Sequence, residues 1–292
     1  MSQIDWEQQR AFLAVLETGS LSGAARRLNL AQPTVRTRIE ALEGALGTPL
    51  FTRSPGGLHP TERGRALYEH ARAMQLASDA FVRTASAGPD EVAGTVRVTA
   101  SEVIAVEVLP RIFADLARQH PRLAIELSPS NRNEDVLRRE ADVAVRMVPP
   151  RQEALVARRI GAVPLGVHAH PDYLAERPAP ISTADLSSHR IIGPERDSPI
   201  LRAVQAAGFP IQLGDLSFRS DSDHAQLAAI RAGLGIGICQ VPIGARDGLV
   251  RLLPDFRFDL ETWVVCHEDL RGLARVRTVF DALVTGLKAY LN

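Results

Sequence analysis

The sequence predicts an α/β protein with a helical N-terminal third, and three observations carry that prediction. Residues 20–43 read as a helix, a tight turn and a second helix, residues 62–86 read as one long helix, and from residue 94 onward strand-like runs alternate with helical ones. At 292 residues the chain is longer than one typical domain, so two or three are expected.

The helical third is legible element by element. Asp5 precedes a run in which Phe12, Leu13, Val15 and Leu16 recur at helical spacing, and Thr18-Gly19 ends it. Ser20 or Ser22 can cap the next helix, whose Ala24, Ala25 and Leu28 are small enough to let another helix cross closely. Asn29 suits the turn because it tolerates a left-handed backbone. Pro33 then sits in the first turn of a new helix, where its missing N–H costs nothing. Val35, Ile39, Leu42 and Leu46 form the buried stripe of that helix, which leaves Gln32, Pro33, Thr34, Arg36, Thr37 and Arg38 at its start and on its outer face. This is the layout of a helix-turn-helix that lies in the DNA major groove. Gln pairs with adenine, Arg with guanine or phosphate, and Thr with phosphate or a thymine methyl. Any single Arg reads as a solvated surface residue; the combination reads as an interface.

Two short extended pieces around Ser54-Pro55-Gly56-Gly57 make a hairpin, and after a helix-turn-helix such a hairpin is a wing, with Arg53 on it. In the long helix, Leu67, Ala71, Met74, Ala77 and Phe81 form an apolar seam that is expected to pair with its copy in a homodimer. Two recognition helices presented symmetrically would read a palindrome in double-stranded DNA. The net charge is zero, with 34 basic and 34 acidic residues, yet residues 21–72 hold eight Arg against four Glu. The basic footprint is therefore local.

Taken together, Ala24-Ala25-x-x-Leu28, Gln32-Pro33-Thr34-Val35-x-x-x-Ile39-x-x-Leu42-Glu43, Leu46-Gly47-x-x-Leu50-Phe51-x-Arg53 and Thr61-x-x-Gly64 resemble the winged helix-turn-helix of LysR-type transcriptional regulators. Ala31 stands where that family usually has Ser, Thr37 where Ser is commoner, and the Ser-Pro-Gly-Gly wing lacks a second basic residue. The candidate DNA contacts are Ser22, Gln32, Pro33, Thr34, Arg36, Thr37, Arg38 and Arg53. The resemblance implies a DNA-binding domain over 1–61, a linker and dimerisation helix over 62–87, and an effector-binding domain over 88–292. It also implies a homotetramer built as a pair of dimers, and a regulator whose DNA contacts respond to a small organic effector.

Ala87-Gly88-Pro89-Asp90-Glu91 reads as a hinge, and Thr95-Val96-Arg97-Val98-Thr99-Ala100 as the first strand beyond it. Further strand-like runs at 123–127, 141–146, 165–169, 216–219, 235–239 and 262–266 alternate with helices, which argues for a mainly parallel sheet. The resemblance sharpens this to two lobes like those of type 2 periplasmic binding proteins, subdomain I at about 94–164 and 267–292 and subdomain II at about 165–266. In such folds ligands sit outside the carboxyl ends of strands, near helix N-termini. Three strand ends therefore supply the candidate effector contacts: Ser101 and Glu102, then Ser130, then Asp221 and Ser222. Arg146, directly after a buried strand, could meet an acidic effector as a bidentate donor. The plain alternatives are helix caps for the Ser and Asp residues and a structural ion pair for Arg146.

Other chemistry is disfavoured. Gly233-Leu234-Gly235-Ile236-Gly237 follows a helix and enters a strand, the reverse of a dinucleotide fingerprint, so it reads as a helix stop with close-packing glycines. His168 and His170 lack a Cys or Glu at metal spacing, and Cys239 and Cys266 read as buried thiols, so no metal and no cofactor are expected. Nothing resembles a nucleophile elbow, a phosphate loop or a paired-carboxylate site, so no catalytic residue is assigned and an enzyme is not expected. Without a leader or a membrane span a cytoplasmic location is expected. A solute-binding protein, or a ligand sensor with no DNA role, is the alternative that residues 94–292 alone would allow.

Overall fold

The computed structural model describes residues 4–54, 57–131, 141–150 and 155–291. The chain forms two compact units that divide between Thr84 and Ala85.

The first unit starts with α1 (Trp6–Thr18), where the Asp5 carboxylate accepts the Gln8 N–H at 2.8 Å and the Gln8 side chain returns a bond to the Asp5 backbone. This reciprocal box satisfies two N–H groups that the first turn leaves open. Gly19, at φ 67°, stops the helix, and the Ser20 hydroxyl caps α2 (Leu21–Leu28) by accepting the Gly23 N–H. Asn29, at φ 53°, makes the turn into α3 (Gln32–Leu46). The hairpin β1 (Phe51–Ser54) and β2 (Gly57–Pro60) follows, then α4 (Glu62–Ala85). Phe12, Leu13 and Val15 of α1, Ala24 of α2, and Val35, Ile39 and Leu42 of α3 close one core, with the Phe12 and Phe51 rings 5.5 Å apart. Leu46 does not join this stripe: it is 39% exposed, because the chain turns away at Gly47 one residue later.

The second unit carries β3 (Gly94–Ala100), α5 (Glu102–Glu107), α6 (Leu109–Gln119), β4 (Leu123–Pro129), β5 (Val143–Arg146) and β6 (Leu155–Ala169). Then come α7 (Pro171–Ala175), β7 (Ile191–Gly193), α8 (Pro199–Ala206), β8 (Leu216–Arg219), α9 (Asp223–Arg231), β9 (Gly237–Gln240), α10 (Val241–Arg246), β10 (Val250–Leu252), β11 (Phe258–His267) and α11 (Ala274–Leu291). Seven strands form one sheet in the order β10, β6, β11, β5, β3, β4, with β9 also paired to β6; β7 and β8 form a small second sheet.

The expectation of a mainly parallel sheet is corrected here. Among the described residues, parallel strand pairing joins β3 to β4 and β5, and β7 to β8, with one isolated parallel bridge between Ile191 and Ile236; every strand pairing made by β6 or β11 is antiparallel. The reason is topological: the chain crosses from one lobe to the other along β6 and returns along β11, so these two long strands run in opposite directions. Their register shifts between Thr262 and Trp263, opposite Gly161. Trp263–Cys266 pair with β5 in the first lobe, although the sequence reading groups them with the second. Val98, Leu109, Val145, Val264 and Leu283 sit in the first lobe's core, and Val167, Ile191, Leu216, Ile236 and Phe256 in the second's. The glycine run lies where β9 enters this core: a Cβ on Gly235 would stand 2.4 Å from the Arg190 carbonyl oxygen, and that contact allows the parallel bridge between Ile191 and Ile236.

Candidate nucleic-acid interface and effector cleft

In the first unit, α3 buries Val35, Ile39 and Leu42 and so turns its other face outward. Gln32, Pro33, Thr34, Arg36 and Thr37 are all exposed there, Ser22 is exposed at the start of α2, and Arg53 is exposed on β1. Two of the expected contacts are engaged within the fold. The Thr37 hydroxyl donates to the Pro33 carbonyl oxygen at 3.0 Å, so its proton points back along its own helix. Arg38 lies 2.8 Å from a Glu7 carboxylate oxygen with only 24% of its side chain exposed, an ion pair that ties α3 to α1. Arg36 has no such partner among the described residues. Ala31 precedes α3 and supplies no side-chain cap, which leaves the helix's first N–H groups without a side-chain acceptor. A helix start in that state, flanked by Gln32, Thr34 and Arg36, can accept a phosphate oxygen.

Sequence reasoning missed what sets the wing. A Glu43 carboxylate oxygen accepts the Leu50 and Phe51 N–H groups at 2.6 and 3.1 Å, joining the last turns of α3 to β1. The Thr61 hydroxyl donates to the Pro49 carbonyl oxygen at 3.1 Å and accepts the Gly64 N–H at 3.1 Å, which caps α4. A Cβ at Gly64 would stand 2.4 Å from the Leu50 carbonyl oxygen, so only glycine fits. The signal was present in Glu43 and in Thr61-x-x-Gly64, but their partners lie too far along the chain for periodicity to show them.

In the second unit three strand ends meet between the lobes. The Glu102 N–H, at the start of α5, donates to the Asn131 side-chain oxygen at 3.1 Å, and the Asn131 amide donates to an Asp223 carboxylate oxygen at 3.1 Å, at the start of α9. One side chain thus joins the first lobe to the second. Ser101 precedes α5 and makes no cap bond, and the Ser130 N–H donates to the Ala100 carbonyl oxygen at 2.8 Å. Arg146 is buried and donates to the Thr99 hydroxyl at 3.0 Å and to the Val145 carbonyl oxygen at 3.2 Å. The Ser222 hydroxyl accepts the Ala225 N–H at 3.3 Å and caps α9. Asp221 is otherwise engaged: its carboxylate accepts the Glu195 and Arg196 N–H groups and the Arg196 Nε at 2.6 Å, so it holds the 195–196 loop. Burial raises the Asp223 carboxyl above its ordinary value, opposed by the Asn131 bond. Asn131 and Asp223 are the cleft residues that were not singled out from the sequence.

Residues 89–288 match the LysR substrate binding domain, and residues 6–65 match the bacterial regulatory helix-turn-helix of the lysR family. The chain belongs to the LysR family of transcriptional regulators. Over 184 residues it is 32% identical to the Mau operon transcriptional activator of Paracoccus denitrificans, a match covering 61% of this chain and 65% of that protein, just under two thirds of it. An HTH-type transcriptional repressor of Pseudomonas aeruginosa is 29% identical over 279 residues, 91% of this chain and 87% of the repressor. Among solved structures, CbnR, a LysR family transcriptional regulator, aligns with a TM-score of 0.69 at 18% identity, covering 99% of both chains. CrgA from Neisseria meningitidis aligns at 0.60 and 24% identity, covering 98% of this chain and 99% of CrgA. At those identities the structures speak to the fold.

Within this LysR-family effector domain a second polar tie joins the lobes at the other ends of α5 and α9. Glu107 accepts from Arg231 at 3.0 and 2.8 Å and also pairs with Arg246, while Asp247 pairs with both arginines. The two guanidiniums hold the Glu107 carboxyl below its ordinary range against the opposing effect of burial. His168 is buried in the second lobe, 2.8 Å from the Gly166 carbonyl oxygen and 3.3 Å from the Cys239 sulfur, and burial lowers its pKa, so it stays neutral. Among the described residues no group of His, Cys, Asp and Glu could hold a metal ion, and no helix is long and apolar enough to cross a membrane.

Proposed function

We propose that this LysR-family protein regulates transcription by placing α3 in the major groove of a promoter palindrome, as a homodimer through α4 and a homotetramer made of two such dimers, under control of a small organic effector held between the two lobes. The single observation that carries the DNA reading is the exposed row Gln32, Thr34 and Arg36 at the uncapped start of α3, set on a helix whose other face is core. Ser22 and Arg53 extend that surface onto α2 and the wing, while Arg38 and Thr37 contribute less because their polar atoms are already engaged. The division into 1–61, 62–87 and 88–292 assigns reading, pairing and sensing to separate stretches.

On the effector side, Ser101, Glu102, Ser130, Arg146 and Ser222 surround the strand ends that Asn131 and Asp223 join. A carboxylate-bearing effector is the class that Arg146 and the start of α9 would recognise. The protein acts by binding, with no catalytic step and no resident cofactor, in the cytoplasm where its DNA lies. Relatives include both activators and repressors, such as the Mau operon activator and the Pseudomonas repressor.

The test is fluorescence anisotropy of the purified chain with its own upstream DNA across a salt series. Sequence-selective binding that weakens steeply with salt is the expected result, since phosphate contacts release counterions. Equal affinity for unrelated DNA would overturn the reading.

A further inference from the structure

Helix α11 is held at both ends by groups outside the core on which it packs. At its start the Arg275 side chain, only 1% exposed, donates to the Ala87 carbonyl oxygen at 3.3 Å, and the Ala274 N–H donates to the Pro89 carbonyl oxygen at 2.7 Å. Both acceptors lie in the stretch by which the chain enters the second unit, between Ala85 and β3. A guanidinium taken out of water is costly unless it is hydrogen-bonded, so Arg275 and this stretch hold one another in place.

The other end of α11 reaches the second lobe. The Tyr290 ring packs on the first lobe's core and also on the second-lobe cluster of Leu227, Ile230 and Ile243. Its hydroxyl donates to Oε1 of the buried Gln240 at 2.6 Å, where β9 passes into α10, and burial raises that hydroxyl above its ordinary value, so it stays a donor. Leu291 lies against Gly161, where a Cβ would stand 2.7 Å from Leu291 Cδ1. Gly161 faces the register shift of β6 and β11, so the last turn of α11 rests on the strands that connect the lobes.

Between these ends α11 is one packed rod. Val276, Val279, Leu283, Val284 and Leu287 are buried in the first lobe, and a Cβ on Gly286 would stand 2.5 Å from Ile112, so the helix is seated closely on α6. Arg275 and Tyr290 are about 22 Å apart along it, at 1.5 Å per residue. A helix packed this closely shifts as a body, because a dense interior resists local deformation.

We propose that α11 is a lever within the second unit, which takes up the angle between the lobes through Tyr290 and Leu291 and passes it to residues 85–93 through Ala274 and Arg275. A ligand that changes that angle would then move the point at which the chain enters this unit. The role in regulation rests on the effector-controlled reading above, whereas the coupling along α11 is a property of the chain alone.

Hydrogen exchange of the full chain, with neither DNA nor effector, tests the coupling by reading each variant at the far end of the helix. Y290F keeps the ring and removes the hydroxyl; it should speed exchange of the Glu91 and Gly94 N–H groups, bonded to the Gly88 and Arg122 carbonyl oxygens, by about fivefold or more. R275K keeps the charge and shortens the reach; since coupling is reciprocal, it should speed exchange within α10 by a similar factor. In both variants β4, at the edge of the same sheet, should exchange as in the unaltered chain, which separates coupling from a general loss of stability. The proposal is overturned if Y290F leaves residues 85–94 unchanged, if R275K leaves α10 unchanged, or if β4 speeds up with them. A chain that fails to bind DNA would overturn the regulatory reading without altering any of these outcomes.

Discussion

Arg36 and Arg38 are two residues apart on one helix and look equivalent in a sequence, yet they stand in different situations. Arg36 is exposed at the start of α3 and has no ion pair among the described residues, while Arg38 is held by Glu7. Arg36→Ala is expected to lower DNA affinity by about 1–3 kcal/mol with an unchanged melting temperature, the range of a good base or phosphate contact. Arg38→Ala should cost less in DNA affinity and instead lower stability slightly, by under about 1 kcal/mol, as for other solvent-facing pairs. Anisotropy and calorimetry on both variants check this; equal losses of affinity would mean that Arg38 leaves Glu7 on binding. The face carrying both arginines was legible from helical spacing. The Glu7 partner was not, because it is 31 positions away and nothing in local periodicity reports a contact between helices.

At the scale of elements, α4 is divided along its length. Leu67, Tyr68 and Ala71 pack on the first unit's core, whereas Met74, Phe81 and Val82 are 42%, 77% and 65% exposed. Met74, Ala77 and Phe81 share one face at helical spacing, and a large apolar ring left in water is the signature of a pairing surface. Phe81→Glu should therefore shift the chain toward monomer in analytical ultracentrifugation, and an unchanged sedimentation coefficient would remove that face from the interface. The α5–α9 tie gives a pH prediction. Glu107 titrates below its ordinary value of 4.5 in the fold, so its contribution is fully present above that value and is lost as pH falls through the folded value. Melting temperatures of the unaltered chain and of Glu107→Gln should differ most above pH 5 and converge as the pH falls below about 4. A gap that stays constant over that range would show that the carboxylate charge does not hold the lobes.

At the scale of the whole molecule, the strand ends proposed to hold the effector are tied by Asn131, which bonds to the start of α5 and to Asp223 at the start of α9. Asn131→Ala removes a side chain that bridges those strand ends, so it should alter the effector dose-response while leaving effector-free DNA affinity unchanged. Anisotropy with and without effector measures both, and an unaltered dose-response would make Asn131 a cap only. Each of the six strand-like runs read from the sequence overlaps a strand of the second unit, although residues 141–142 and 235–236 lie outside β5 and β9, and β7 and β10, each three residues long, were invisible. Segments that short carry no periodicity; they are strands because neighbouring chain pairs with them.

The sequence by itself determined the elements with local causes: helices set by 3.6-residue spacing, the stops at Gly19 and Asn29, and the outer face of α3, while the choice of Ser20 over Ser22 as the α2 cap came from the structure. Each depends on residues within about a turn of one another, so each is written in adjacent letters. Tertiary structure alone decided the antiparallel crossing of β6 and β11, the capture of Arg38 by Glu7 and of Asp221 by the 195–196 loop, and the Asn131 bridge. These join residues tens to more than a hundred positions apart, and only the packing of the cores brings such residues within reach of one another.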